Sequence, residues 1–161
     1  MQALPAVTRA LAPIDGGDFR LSFEPAPGGL DGAVLARVQG RFTGAALLAA
    51  YAVLVHHAEE GVLNVIADTR GAESFLDFAA YDAVTRLITA HGILRLNLVV
   101  CERDAGRRYV VKFGNEVAEL GGLEVRSELV SDPASAVAAL RRLMADDGGA
   151  AMPGRSLGSQ K

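Results

Sequence analysis

The sequence predicts an α/β layered domain: a mostly parallel sheet of about five strands with an N-terminal antiparallel hairpin, flanked by four helices. Three observations carry this. Two runs of alternating apolar and polar residues, "FRLSFEPA" and "AVLARVQGRF", are separated by the turn chemistry of "PGGLDG". Downstream, short apolar runs alternate with segments of helical period, giving the order β-β-α-β-α-β-α-β-α. Every helical segment begins at a residue suited to capping, and most end at glycine.

In "TGAALLAAYAVLVHHAEEG", Thr43 is the expected N-cap, Leu47, Tyr51, Leu54 and Ala58 form the inward stripe, and Gly61 is the stop. Ala46, Ala49, Ala50 and Val53 leave the opposite flank poor in polar groups. That flank reads as a partner or self-association face, or as a helix buried more deeply in its own domain. "VLNVIA" is a strand covered on both faces, expected to break after Asp68, where a polar stretch hands over to the next helix. This helix starts near Asp77, turns Phe78, Tyr81, Val84 and Ile88 inward, and closes at His91 and Gly92. After the strand "LRLNLVV", Asp104 caps "AGRRYVVKFGNEVAEL", with Tyr109, Phe113, Val117 and Leu120 as its inward stripe. "LEVRSELV" is the last strand. In "SDPASAVAALRRLMA", Asp132 is the cap, Pro133 takes the first helical position, and Ala136, Val137, Leu140 and Leu143 or Met144 face inward. Residues 1–18 and 146–161 are rich in chain breakers and read as flexible tails, which leaves one domain at 19–145.

A chain of 161 residues, half of them apolar, can bury a single core. Its net charge of −3 offers no cationic field for a phosphate backbone, so nucleic acid is a poor partner. No apolar run reaches the roughly 20 residues of a membrane span. The single cysteine, Cys101, ends an apolar run and reads as a buried structural thiol, which suits a reducing, cytoplasmic location. No cofactor is implied.

The element order, together with "RVQGRFTGAALLAAYAVLVHHAEEGVLNVIADTRG", "LNLVVCERD" and "LEVRSELVSDPASAVAALRRLM", resembles the STAS superfamily, in particular its SpoIIAA-like branch, over roughly residues 19–144. The "GRFT" after the second strand and the D-x-R after the third are the most particular pieces. The resemblance implies a sheet of four or five strands backed by helices, and a non-enzymatic regulatory or sensing module that binds a protein partner or small ligand. Family members of the antagonist type switch through a serine in an Asp-Ser-Ser-Gly segment at a helix start. With Asp68 as the strand-end acid and one extra residue allowed, Asp77-Phe78-Ala79-Ala80 falls on that segment; the acid is kept and both hydroxyls are missing. This implies loss of the phosphoserine switch at that place. Some of these domains resemble lipid-binding relatives, so the alternative is a carrier of a small apolar ligand, with a cavity lined by residues such as Phe75, Leu76, Phe78 and Tyr81.

Parallel sheets place ligands beyond the carboxyl ends of their strands, where helix N-termini present unpaired N–H groups. There the sequence collects Asp68, Thr69, Arg70, Ser74 and Asp77 from one connection, and Glu102, Arg103, Asp104, Arg107 and Arg108 from another. The arginines suit an anion or an acidic partner, and Arg70→Ala is expected to weaken binding with little change in melting temperature. The plainer reading makes Asp77 and Asp104 helix caps with the arginines solvated or paired to them. His56 and His57 point about a quarter-turn apart on a helix and suit no shared metal. They read as a surface pair, with His56 four residues from Glu60. No Gly-x-Ser-x-Gly turn and no Lys-Ser/Thr phosphate loop occurs, so no catalytic set is assigned.

Overall fold

The computed structural model describes residues 11–150. Six strands form one sheet in chain order. β1 (Ile14–Asp15) and β2 (Phe19–Pro25) pair antiparallel, as do β2 and β3 (Ala33–Phe42). β3, β4 (Val62–Ser74), β5 (Arg95–Cys101) and β6 (Glu124–Val130) follow in parallel. The helices are α1 (Gly44–Leu54), α2 (Phe78–Ala90), α3 (Arg108–Leu120) and α4 (Pro133–Ala150). An antiparallel hairpin leading into a parallel α/β sheet is therefore present, with one strand more than predicted. The extra strand, β1, lies inside the stretch read as a tail, because Asp15 accepts from Gly17 N–H and turns the chain so that Ile14 pairs with Leu21. At the other end α4 runs beyond the expected boundary at residue 145. The predicted tail segments 1–10 and 151–161 lie outside the described residues.

Alternation along the strands sorts the core into two layers. Leu63 and Val65 of β4 pack with Leu21, Leu54 and Ile88 beneath α1, α2 and α3. Ile66 of β4 and Val99 of β5 face the other way, against Ala136, Ala139 and Leu140 of α4. Each such aliphatic side chain, fully buried, contributes about 1.5–3 kcal/mol. Among the described residues, no helix is long and apolar enough to cross a membrane.

Local chemistry fixes the helix starts. Ala46 N–H donates to Thr43 Oγ1, Ala80 N–H to Asp77 Oδ1, and Ser135 N–H to Asp132 Oδ1 at 3.3, 2.9 and 2.8 Å. Asp104 instead caps a one-turn prelude to α3, accepting from Gly106 N–H at 2.8 Å. α1 stops at Leu54, short of the predicted Gly61, and a 3₁₀ turn follows at Val55–His57. The chain must reverse into β4 there, and it does so through left-handed Glu60 and Gly61. The histidine pair splits accordingly. His57 is buried, whereas exposed His56 stacks edge-on against His91, with ring centroids 5.6 Å apart, rather than lying a helical turn from Glu60.

Two predicted stripes are corrected, and of the two readings of the α1 flank the buried one holds. The polar-poor flank of α1 is covered by its own domain, with Ala46 and Ala50 buried and Ala49 and Val53 partly so. Phe78 at the start of α2 is 54% exposed, and Ala80 faces inward instead. In α3 the predicted stripe points outward: Tyr109 is 75%, Phe113 40% and Leu120 84% exposed, and only Val117 is buried. The apolar arc of this helix is wide, running from Tyr109 and Phe113 round to Val111 and Ala118 opposite the polar face of Arg108, Lys112, Glu116 and Glu119, so its period does not select which end of the arc packs. Size does, because Gly114 lies so close to Tyr81 that an added Cβ would stand 2.7 Å from the ring edge. Only a face of small residues admits that approach.

Candidate functional site

β4 does not end at Asp68. Arg37 of β3 lies opposite Asp68, while Gln39 lies opposite Gly71, so one β3 residue faces two on β4. Thr69 and Arg70 form a β-bulge, after which pairing resumes to Phe42 opposite Ser74. The handover to α2 comes at residues 75–77. The strand-end anchor used to align the Asp-Ser-Ser-Gly segment therefore moves from Asp68 to Ser74, although Asp77 keeps its place at a helix start.

The two predicted connections do open at one rim. Asp68 pairs with Cys101, and Thr69 Oγ1 donates to either the Cys101 carbonyl or the Glu102 carboxylate, at 3.1 and 3.0 Å. The sheet nevertheless divides the predicted residues between its two faces. On the α4 side, Asp68 is 5% exposed and grips Arg70, whose Nε and Nη2 each donate at 2.8 Å to a different carboxylate oxygen. Arg70 N–H donates to the same carboxylate at 3.2 Å, and Arg37 stands 3.6 Å away. The bond from Arg70 holds the Asp68 carboxyl below its usual range and outweighs the opposing effect of burial. Burial pushes the neighbouring Cys101 thiol up to about 11, which leaves it a poor nucleophile at neutral pH.

The other face carries Thr69, Ser74 and Arg107, which line a partly enclosed cavity of about 140 Å³. It lies between the sheet and α1, α2 and α3. Alternate residues of β5, Leu96, Leu98 and Val100, supply its sheet side, with Leu47 and Tyr51 from α1, Val84 and Ile88 from α2, and Val111 and Ala118 from α3. Glu102 and Arg107 bring one charge of each sign to the wall. Of the residues expected around an apolar cavity, Leu76 and Tyr81 line it, whereas Phe75 and Phe78 are exposed instead. Asp77 is occupied as the cap of α2. Arg103 and Arg108 are exposed and form no ion pair among the described residues.

Tyr51 belongs to the site but reads from sequence only as a core residue. Its signal was slight, a single hydroxyl in a stripe of alanine and leucine. Among the described residues, no three His, Cys, Asp or Glu side chains converge as metal ligands. Comparison with protein-family models, with curated proteins and with solved structures finds no match.

Proposed function

We propose that this protein is a non-enzymatic binding module that takes a small apolar ligand into the cavity between its sheet and α1, α2 and α3. The cavity carries this reading. Its walls are aliphatic over most of their surface, and a void of this size in a packed core forfeits contacts that a guest would restore. Cavities of about 150 Å³ with apolar linings hold a single benzene ring. The one thiol lies on the opposite face, and the Thr69 hydroxyl that meets the Glu102 carboxylate at 3.0 Å is equally directed at the Cys101 carbonyl at 3.1 Å.

The test is the melting temperature with and without toluene near saturation. Toluene is expected to raise it by about 2–4 °C, since a guest that binds only the folded state stabilises it by mass action. Ala118→Leu, which fills the cavity from α3, is expected to abolish that rise while the unliganded variant melts no lower than about 3 °C below the parent. An undiminished rise in Ala118→Leu would place the toluene elsewhere.

A second reading is favoured by one observation. Phe75, Phe78, Tyr109 and Phe113 are 44%, 54%, 75% and 40% exposed, and Phe78 and Tyr109 stand in the first turns of α2 and α3 at the same rim. Exposed aromatics gathered at one edge suit a protein partner or a second copy of this chain. The STAS-like regulatory role belongs with this reading and is supported by the sequence pattern.

A further inference from the structure

Within the ligand-binding reading, on which this step rests, the polar groups of the cavity wall differ in one respect. Thr85 Oγ1 already donates to the Tyr81 carbonyl at 2.8 Å, and Asn115 Nδ2 to Ser127 Oγ at 2.6 Å. The Thr69 hydroxyl is likewise directed at Cys101 and Glu102. Tyr51 is different. It is 7% exposed, it lines the cavity, and its hydroxyl makes no hydrogen bond with any described residue. A buried phenol without an acceptor is costly to leave unmade, and almost all such groups in native proteins have a partner. Burial holds the phenol well above its ordinary titration range, so it is a donor at every physiological pH. Of the two charged side chains of the wall, Glu102 already accepts from Thr69 Oγ1 and Asp104 N–H, whereas Arg107 makes no side-chain hydrogen bond or ion pair with a described residue.

We infer that the ligand is a molecule of about one aromatic ring in size that carries a hydrogen-bond-accepting oxygen, and that the Tyr51 hydroxyl recognises this oxygen. The apolar wall holds the body of the guest and Tyr51 sets its orientation.

The experiment titrates two probes, toluene and benzyl alcohol, into the full chain and its Tyr51→Phe variant by calorimetry. In the parent, both bind. Tyr51→Phe is expected to lower the affinity ratio of benzyl alcohol to toluene by roughly three- to tenfold, the value of one net hydrogen bond. Toluene serves as the control for folding, since its own affinity should change less than twofold. If toluene and benzyl alcohol both bind and their ratio is unmoved by Tyr51→Phe, the assignment of Tyr51 is overturned while the cavity reading stands. Failure of both probes to bind the parent overturns both this inference and the reading beneath it.

Discussion

Arg70→Ala is expected to lower stability by about 2–3 kcal/mol and the melting temperature by about 8 °C. This reverses the sequence-based expectation of a nearly silent substitution. Arg70 does not reach out from the rim; it closes a bidentate pair on a carboxylate that is 5% exposed. Removing the guanidinium leaves Asp68 with Arg37 alone, at 3.6 Å. The loss falls short of the largest values for buried pairs because the Arg70 side chain is 27% exposed and water can enter where it stood. The effect has a defined pH dependence. Asp68 titrates below its unfolded value, so the stability it contributes is fully present above about pH 4 and is lost as pH falls through the folded value. The gap between parent and variant should therefore be widest near neutrality and shrink at pH 3, where the carboxyl of the unfolded chain is largely protonated and ionising it in the pair contributes less stability. Urea denaturation at the two pH values measures it; an equal gap at both would mean that Arg70 acts through packing alone.

Leu140→Ala should cost more, about 3–4 kcal/mol. Leu140 has no exposed surface and stands against Ile66 and Val99, with Ala26, Ala33, Ala136 and Ala139 buried around it. Those alanines are single methyl groups fixed to the backbone, so they cannot swing in to close the void. The cost should approach the transfer value plus an unrelieved cavity term. Because this layer is separated from the ligand cavity by the sheet, toluene affinity per folded molecule should change less than twofold. A variant that loses toluene binding as well would show that the two faces do not act independently. Chemical denaturation, followed by calorimetric titration in the absence of denaturant, separates the two quantities.

What the sequence made legible was local. Thr43, Asp77 and Asp132 each cap a helix through a contact three residues along, and such contacts are written in neighbouring letters. The hairpin and the parallel crossovers followed from alternation and period in the same way. What stayed hidden depends on partners distant in the chain. "DTRGAES" looks like a loop, being polar and holding a glycine, yet Gln39, Gly40, Arg41 and Phe42 of β3 keep it in the sheet as far as Ser74. The face of α3 was misjudged because its apolar arc, from Tyr109 and Phe113 round to Val110 and Val111, is wider than one stripe, and only contact with Tyr81 across Gly114 decides which part of it fits. The site inherits both difficulties. The bulge sends Thr69 and Ser74 to the cavity while Asp68 and Arg70 stay with α4, so residues adjacent in sequence serve opposite sides of the sheet.

The strands lie in the sheet in the order in which they occur in the chain, and α1, α2 and α3 all return across one side. A growing polypeptide could thus add each strand to an edge already laid down, with no earlier pairing reopened to admit a later one. The exception comes last. Ile66 and Val99 wait on the bare side until the final helix is synthesised and lies down over them. Ribosome-bound chains arrested before residue 133 would consequently present a greasy plane to chaperones, and the covering of that plane would release them.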